Sequence, residues 1–406
     1  MNYAVAVFTW VVMLLSTYIS VYYMLMLIDM KPRNGRRARY PKVAIAIPAF
    51  NEERGVARTL ESILNLDYDL GKLQVFVVDD GSKDRTSKEA RRFSRQHPEL
   101  DITILRNRSN KGKAYSLNRA LKKTDATFFV TMDADSNVHP SALKAMLRYS
   151  KGSSVVTPCV LPRSPKNIFE RLQQVEYVYG NYLANILSNF DAQLVAPGPF
   201  SLFRTSDLKA VGGFDETSIT EDLEVVYRLR AKGHKITMAP NAYVYTEVPG
   251  GIRGLIRQRK RWHLGFFDAV GKHPQGLKPS TEFGMQNILK IIYFFLAISF
   301  LLLAGRNLYR LLKPAFNFMQ YVGFDIFPYL TGWQFRFDLL SLDIQMLLYF
   351  IIILIFTIIF LILASRFQDS RIGFFDAVLF MFAYGLALST ATFLAVYSWL
   401  RRDYVW

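Results

Sequence analysis

The sequence predicts an α/β domain built on a doubly wound sheet and joined to about four membrane-spanning helices. Long runs with almost no charged residues predict the spans, and alternating strand-like and helix-like segments between the first two runs predict the domain. The chain has 406 residues, 51% of them hydrophobic, so it can bury a large core. This composition excludes a disordered chain, and a single cysteine, Cys159, excludes a disulfide-stapled secreted protein.

The uncharged runs cover residues 1–28, 283–305, 344–365 and 377–400, and Lys290 is their one charged interruption. A helix of about 20 residues crosses the hydrocarbon core of a bilayer, so each run is long enough. The first run lacks the basic start and the cleavage site of a signal peptide, and we expect it to be retained. The alternative for each run is a buried helix of a soluble core.

These runs divide the chain into three regions. Residues 1–30 are predicted to form an N-terminal span, residues 40–275 a soluble domain, and residues 283–400 a C-terminal membrane region. Residues 308–342 are aromatic without a clear period, and we expect them outside the bilayer or partly embedded.

Basic residues beside the first span predict its orientation. Asp29 is the single acidic neighbour of a basic cluster made of Lys31, Arg33, Arg36, Arg37, Arg39 and Lys42. Because cytoplasmic flanks carry an excess of Lys and Arg, we expect a multi-pass protein of the cell membrane whose 40–275 domain is cytoplasmic.

The net charge of +17 lies mostly in the first 275 residues, because residues 276–406 hold only 10 basic and 7 acidic residues. A basic surface of this kind suits the lipids of an anionic leaflet or an anionic substrate. Nucleic acid is disfavoured as a partner, since the sequence contains no nucleic-acid-binding motif.

Four short apolar runs predict buried parallel strands at residues 43–47, 74–78, 102–105 and 127–132. Helical patterns separate them. The first helix is predicted to follow Asn51 as its N-cap, with an apolar face formed by Val56, Leu60, Ile63 and Leu64. This alternation predicts the doubly wound sheet.

Acidic residues follow two of these strands, at the edge where such sheets bind ligands. Asp79 and Asp80 follow the second strand, and Asp133 and Asp135 follow the fourth. Alternate residues of an extended chain project to one side, so Asp133 and Asp135 repel each other unless a cation lies between them. Mg²⁺ or Mn²⁺ with diphosphate oxygens would supply that cation. The alternative is a capping or turn role for the pair.

Six short motifs follow one another along residues 40–265. They are Pro48-Ala49-Phe50-Asn51-Glu52-Glu53, Asp79-Asp80-Gly81-Ser82, Asn110-Lys111-Gly112-Lys113-Ala114, Asp133-Ala134-Asp135, Thr220-Glu221-Asp222 and Gln258-Arg259-Lys260-Arg261-Trp262. In order and approximate spacing, they resemble the motifs of membrane-embedded family 2 glycosyltransferases, in particular the synthases of poly-N-acetylglucosamine, hyaluronan and cellulose. No counterpart of the cellulose synthase gating loop follows Trp262, which disfavours cellulose synthase itself.

This resemblance implies a GT-A fold that transfers a sugar from a UDP-sugar with inversion. It implies that Asp222 is the general base and that Asp135 and Asp133 hold the metal. The nucleotide-sugar contacts that it implies come from Pro48, Ala49, Phe50, Glu52, Asp79, Asp80, Lys111, Lys113, Asp133, Arg259 and Arg261. The acceptor contacts that it implies come from Glu221, Gln258, Trp262 and Phe200.

These residue types fit a single displacement at an anomeric carbon. A carboxylate accepts the proton of the acceptor hydroxyl, while the metal and the guanidinium of Arg259 or Arg261 stabilise the leaving diphosphate. Trp262 offers a flat apolar face to a sugar ring.

Several of these residues have alternative structural roles. Asp222 is alternatively a first-turn charge of a helix, and Glu52 and Glu53 alternatively serve only the helix after Asn51. Lys111 and Lys113 are alternatively part of a solvated loop.

Two further segments have more than one interpretation. Residues 258–262 are alternatively a basic segment on lipid headgroups, and His263 is predicted to pack rather than to catalyse. Residues 168–190 read either as an amphipathic helix against the bilayer or as a core helix.

The leading hypothesis is therefore an enzyme that extends a membrane-associated polysaccharide from a UDP-sugar donor. The alternative is transfer of one sugar to a lipid acceptor such as a polyprenyl phosphate or a glycolipid. Four spans are few for a translocation path, so the polymerase hypothesis predicts a homo-oligomer or an accessory subunit as partner. A channel or scaffold that only senses nucleotide is disfavoured, since Asp133, Asp135, Asp222 and Arg261 are all present.

Overall fold

The computed structural model describes residues 3–31, 35, 40–322 and 344–403. Within these ranges, strands and helices alternate from residue 43 to residue 272, and apolar helices flank them on both sides. The predicted segment 308–342 lies partly outside the described residues. So do most members of the basic cluster after the first span, and the orientation of the chain therefore stays a prediction.

Eight strands form one mixed sheet. They are β1 (Val43–Ala49), β2 (Leu73–Asp79), β3 (Asp101–Arg106), β4 (Phe128–Thr131), β5 (Asn137–Val138), β6 (Val155–Pro162), β7 (Ser201–Arg204) and β8 (Ile236–Thr246). Their order is β3-β2-β1-β4-β7-β6-β8-β5. The four predicted strands are present and run parallel. The second half of the sheet is mixed, because β7 runs antiparallel to both β4 and β6.

The helices of the α/β domain lie between these strands. They are α2 (Val56–Leu64), α3 (Thr86–Gln96), α4 (Lys113–Leu121), α5 (Ala142–Tyr149), α6 (Ile168–Asn189), α7 (Thr205–Ala210), α8 (Glu221–Ala231) and α9 (Ile252–Lys272). The apolar helices are α1 (Tyr3–Asp29) before the domain, and α10 (Glu282–Val322), α11 (Ile344–Phe367), α12 (Phe374–Leu379) and α13 (Gly385–Arg401) after it.

Both faces of the sheet are buried, as continuous apolar strands require. On β1, Val43, Ile45 and Ile47 pack with α2, α3 and α5, while Ala44 and Ala46 pack on the opposite side with α4, α8 and α9. The second core also includes Phe294 of α10, so an apolar helix is packed directly against the domain.

The predicted N-cap at Asn51 is wrong. Helix α2 begins at Val56, because Asn51 adopts a positive φ of 58° and its side chain accepts a hydrogen bond from the Lys83 amide instead. Asn tolerates this left-handed conformation better than most residues. The turn therefore binds the loop after β2 rather than starting the helix.

Three of the described helical segments are long and apolar enough to cross a membrane: Val7–Asp29, Glu282–Arg310 and Phe374–Arg401. The third joins α12 to α13 through a π-helical turn, Phe380–Tyr384. Helix α11 contains a shorter apolar segment, Ile351–Phe367. The four predicted runs thus correspond to three full-length candidates and one shorter helix.

Helix α6 combines the two interpretations of residues 168–190. Its Asn181 amide donates to the Val160 carbonyl of β6 at 2.7 Å, which fastens the helix to the sheet. Its other side packs Val178, Tyr182 and Ile186 against Met26 of α1 and against Phe360 and Ala364 of α11. Helix α6 is therefore the layer between the sheet and the apolar helices.

Candidate active site

The carboxyl ends of β1, β2 and β4 meet at one edge of the sheet, where the predicted site residues gather. Side chains fix the loops there: the Asn51 amide donates to Ser82 Oγ at 3.0 Å, and the Glu52 amide donates to Thr86 Oγ1 at 2.7 Å. Glu53 belongs to the same arrangement, since its carboxylate accepts from the Arg85 amide. Pro48 and Ala49 end β1, and the side chain of Phe50 beyond them is exposed.

Asp79 and Asp80 are buried and organise the neighbouring loop. Asp80 accepts hydrogen bonds from the amides of Lys111 and Gly112 at 2.9 and 2.8 Å. Asp79 accepts from the Ser82 amide at 2.8 Å and lies 3.3 Å from the guanidinium of Arg106. Both residues thus shape the loop that leads to Lys113, while the Lys111 side chain is exposed to solvent.

The carboxylates of Glu52, Asp133 and Asp135 affect one another electrostatically at this edge. Burial and the neighbouring Asp133 raise the pKa of Asp135, and burial together with Asp135, Asp84 and Asp133 raises the pKa of Glu52. A shared negative environment of this kind favours a cation. Asp135 is oriented by Ser136 Oγ, which donates to it at 3.0 Å.

The donor set fits a hard divalent cation that is completed by substrate. Among the described residues, no three Asp, Glu, His or Cys side chains form a ready metal cage. Mg²⁺ in nucleotide-dependent enzymes is usually held by one or two carboxylates together with substrate phosphates, so Asp133 and Asp135 supply as many ligands as such a site needs.

Lys113 joins a carboxylate of the loop after β4 to a carboxylate at the start of α8. Its Nζ lies 2.6 Å from Asp133 Oδ1 and 3.2 Å from Glu221 Oε1. Burial by itself lowers the pKa of Lys113, but Asp133, Glu221 and Asp222 outweigh burial and hold the pKa above its ordinary value. Lys113 therefore keeps its charge, and the predicted alternative of a solvated loop does not describe it. Glu221 is occupied by this ion pair.

Asp222 lies in the first turn of α8, beside this lysine. Burial and the adjacent Glu221 raise the pKa of Asp222 to about 6, against the opposing effects of Lys113 and Arg261. A carboxylate with this pKa is ionised at neutral pH and is still basic enough to accept a proton in a transition state.

Gly198 makes room for this arrangement. A Cβ at this position would lie 2.5 Å from Lys113 Nζ and 3.1 Å from Asp133 Oδ2. The loop carbonyl of Gly198 accepts a hydrogen bond from Thr131 Oγ1, which anchors it above β4.

We therefore expect Gly198→Ala to displace the Lys113 ammonium from Asp133 and to lower turnover by about 10²-fold, as misplacement of a catalytic group does. Because the end of a lysine side chain moves easily, the free energy of unfolding should change by less than about 1 kcal/mol. Turnover and thermal unfolding of the purified protein check this. Gly180→Ala on α6, whose added methyl meets nothing within 4 Å, is the control. Equal losses of turnover in the two variants would contradict the expectation.

The Gln-x-x-Arg-Trp segment lies on α9, and its members differ in exposure. Arg259 is 1% exposed and donates to both carboxylate oxygens of Glu176 on α6, with 3.0 Å between Nε and Oε1. Arg259 Nη1 also donates to the side chain of Gln258. Arg261 is exposed, and its charge acts on Asp222. Trp262 packs its ring under the Arg259 guanidinium, 4.1 Å from the ring centroid.

Two predicted residues have structural roles. Phe200 was predicted to contact the acceptor, but it is 0% exposed within the core, so its side chain is unavailable to a sugar. Phe200 directly precedes β7, with a backbone φ of 60°, and its ring is part of the core that also contains Val130 and Leu202. His263 packs as expected: burial lowers the pKa of His263 to about 3, and its ring contacts Phe294.

Three residues of the site carry no motif signal. Thr59 Oγ1 donates toward the carbonyls of Ala134 and Ser136 and so holds the Asp133–Asp135 turn. Glu176 and Tyr177 place a charge and a phenol of α6 next to α9. Glu176 is one of three charged residues of α6, with Glu170 and Arg171, so the sequence contains no signal that singles it out.

The sequence is similar to those of known glycosyltransferases. The family described as "Glycosyltransferase like family 2" matches residues 41–265, more than half of the chain. The chain is 27% identical over 298 residues to a poly-beta-1,6-N-acetyl-D-glucosamine synthase of Staphylococcus epidermidis, covering 70% of this chain and 71% of the relative. It is 28% identical over 232 residues to the probable glycosyltransferase YdaM of Bacillus subtilis, covering 55% of each chain.

The architecture is similar to that of a solved structure. The mannosyltransferase PcManGT from Pyrobaculum calidifontis, solved with GDP-Man and Mn²⁺, matches 97% of this chain and 99% of its own with a TM-score of 0.64 and 18% identity. This match confirms the predicted fold, a GT-A-type α/β domain joined to apolar helices. With the family match over residues 41–265, the chain belongs to glycosyltransferase family 2.

Proposed function

We propose that this enzyme transfers a sugar from a UDP-sugar to a growing membrane-associated polysaccharide, with Asp222 as general base and a divalent metal at Asp135 and Asp133. The observation that carries the proposal is the contact set around Lys113, which brings Asp133, Glu221 and Asp222 to one edge of the sheet. The proposed metal ligand Asp133 and the proposed base Asp222 thus both lie beside the Lys113 ammonium. The basic cluster after α1 supports a cytoplasmic position for the domain.

The donor side of the site is formed by the loops after β1, β2 and β4. The exposed ring of Phe50 offers a stacking surface for the uracil base, and the loop shaped by Asp79 and Asp80 borders the nucleotide. Asp133 and Asp135 are the residues that would hold Mg²⁺ or Mn²⁺, which when bound supplies positive charge to the diphosphate. Glu52 adds negative charge on the same side.

Between the two predicted arginines, the structure favours Arg261 for the leaving group. Arg259 is buried and its guanidinium is engaged by Glu176, whereas Arg261 is exposed and close enough to affect Asp222. Arg261 and Lys113 would therefore stabilise the charge that develops on the diphosphate as it leaves. Arg259 does not contact the diphosphate in this proposal; its guanidinium stacks on Trp262.

The chemical step follows from these positions. The acceptor hydroxyl gives its proton to the Asp222 carboxylate while its oxygen forms a bond to the anomeric carbon of the donor sugar. The bond between that carbon and the diphosphate oxygen breaks, and the electron pair leaves with UDP. One displacement inverts the anomeric centre and needs no covalent intermediate on the enzyme.

The similarity to synthases of poly-beta-1,6-N-acetyl-D-glucosamine makes UDP-N-acetylglucosamine the first donor to test. The alignments cover 71% and 54% of the length of two such synthases and 55% of the length of YdaM, so donor and product are part of the proposal. A second candidate, transfer of one sugar to a lipid acceptor, is favoured by the small number of described helices that are long enough to span.

The test is UDP or GDP release by the full chain in nanodiscs, with UDP-N-acetylglucosamine, UDP-glucose and GDP-mannose, in Mg²⁺, Mn²⁺ or EDTA. The proposal expects metal-dependent UDP release and a ladder of products on a gel. A single lipid-soluble product would select the second candidate. Absence of turnover with every donor, in the presence of membrane lipids, would overturn both.

The raised pKa of Asp222 predicts a pH dependence. Asp222 must be ionised to accept a proton, and a pKa of about 6 means that the ionised fraction falls below this pH. We expect kcat/KM for transfer to fall about tenfold per pH unit below pH 6 and to be level toward neutral pH. The pH profile of UDP release measures this. A profile that is flat down to pH 4.5, in a protein that remains folded, would remove Asp222 from the role of base.

A further inference from the structure

An ion pair that is buried at its arginine and partly exposed at its carboxylate connects the predicted acceptor side of the site to an apolar helix. Arg259 of α9 and Glu176 of α6 form it, and Glu176 has a second partner, Tyr384, whose hydroxyl donates to Oε2 at 2.6 Å. Tyr384 is the last residue of the π-helical turn Phe380–Tyr384, inside the candidate span Phe374–Arg401. The contact therefore crosses from the α/β domain into a helix that is long enough to cross the membrane.

Buried side chains border this network on its apolar side. Leu172 of α6, Leu255 of α9 and the ring of Tyr384 form one buried cluster, with exposures of 6%, 1% and 3%. A charge without a partner in such a place is costly, and removal of one member of a buried pair usually costs more than the pair itself contributes. The arginine is consequently held in one orientation by the carboxylate.

Because Arg259 is held in place, it also fixes the position of the Trp262 ring, which lies one helical turn further along α9. The guanidinium lies 4.1 Å from the centroid of the indole, and its Nη1 donates to Gln258, so two residues of the Gln-x-x-Arg-Trp segment take their positions from it. A cation stacked on an indole away from water is a strong form of this contact. Tyr177, next to Glu176, adds a second aromatic ring to the arrangement, with its centroid 6.0 Å from the Arg259 guanidinium.

The helical irregularity falls on the contact itself. π-helical turns are rare and are frequent at functional sites. Here the turn ends at Tyr384, which bonds to Glu176, and Phe380 at the other end of the turn stacks on the Tyr384 ring.

We propose that Glu176 and Tyr384 are positioning residues for the acceptor sugar, acting through Arg259 on Trp262. The segment Phe374–Arg401 is thereby part of the acceptor site and not only an anchor. This inference rests on the proposed function, in which Trp262 receives the acceptor, and it assigns no step of proton transfer to either residue.

The test is a double-mutant cycle of Tyr384→Phe and Trp262→Ala in the full chain in nanodiscs. Two rates are measured: transfer from UDP-N-acetylglucosamine to a β-1,6-linked N-acetylglucosamine oligosaccharide, and hydrolysis of the donor without that acceptor. We expect Tyr384→Phe to lower kcat/KM for the oligosaccharide about tenfold, the loss expected for one hydrogen bond to a charged group, while donor hydrolysis and donor KM stay within about twofold. In the Trp262→Ala background, Tyr384→Phe should have no further effect.

Two more variants keep the test decisive. Tyr182→Phe makes the same change on α6, where the ring packs between Phe360 and Phe367, and it should leave the oligosaccharide kinetics unchanged. Glu176→Gln should also lower kcat/KM for the oligosaccharide while donor hydrolysis stays unchanged, and thermal unfolding reports whether this variant folds.

Additive effects of Tyr384→Phe and Trp262→Ala, or equal losses of transfer and of donor hydrolysis, would overturn the inference and leave the proposed function standing. Absence of turnover in the unmodified chain with every donor would overturn the proposed function and this inference with it.

Discussion

Asp222→Asn is expected to lower the rate of sugar transfer by about 10²- to 10⁴-fold, the usual contribution of a general base. The amide keeps the size of the side chain but does not accept a proton at neutral pH. Asp222 is partly exposed in the first turn of α8, beside Lys113, so the fold should tolerate the change. UDP release by the purified variant, measured with saturating donor and Mg²⁺ or Mn²⁺, checks this.

Binding of the donor separates a catalytic role from a structural one. Lys113 keeps Asp133 and Glu221 as partners in this variant, so the affinity for UDP, measured by calorimetry, should change by less than about threefold. Asp125→Asn is the matched control, because the side chain of Asp125 is fully exposed and its nearest cation, Lys209, is 3.7 Å away. A variant at Asp222 that retains most of its turnover would show that this carboxylate is only a first-turn charge of α8.

Gly265→Ala should both destabilise the protein and abolish most of its turnover. A Cβ on Gly265 of α9 would lie 2.0 Å from Thr220 Oγ1 and 2.8 Å from Thr220 Cβ, and Thr220 directly precedes the first turn of α8. Because both residues are buried, α9 must move away from α8, at a cost of about 1–3 kcal/mol for overpacking. The same movement separates Arg261 from Asp222. Thermal unfolding and UDP release measure the two effects.

Gly271→Ala is the control within the same helix. An added methyl at Gly271 meets nothing within 4 Å, so this variant reports only the helical preference of alanine and should be neutral or up to about 1 kcal/mol more stable. If Gly265→Ala behaved in the same way, α8 and α9 would have to be free to separate, and the proposed dependence of the site on their contact would be wrong.

The parallel half of the sheet was predictable because each strand is a continuous apolar run and is buried on both faces. Asp133 and Asp135 were predictable for the same reason, since a strand end fixes the direction of the residues that follow it. The start of α2 was not. Asn is a good N-cap residue, and the sequence has no strong signal that Asn51 adopts a left-handed conformation. The side chain of Asn51 instead accepts a hydrogen bond from the loop after β2.

The site residues divide in a similar way. The motifs indicated Lys113 but not its position between Asp133 and Glu221, which are 20 and 108 positions away along the chain. They also indicated Arg259 and Arg261 without ranking them. Burial decided between them, since one arginine is enclosed by α6 and the other faces the edge of the sheet. Phe200 was misassigned because its sequence gives no sign that its ring lies in the core.

By itself, the sequence determined the apolar runs, the four parallel strands of the first half and the set of residue types that the chemistry needs, because these depend on local periodicity and spacing. The tertiary structure alone decided that Glu176 pairs with Arg259 and that Tyr384 reaches the same carboxylate, contacts that join residues 83 and 208 positions apart. Such pairs depend on how helices pack on a sheet, and the local sequence around one residue does not show which distant residue will be its partner. The acceptor side of this site is therefore a property of the packed helices rather than of any single motif.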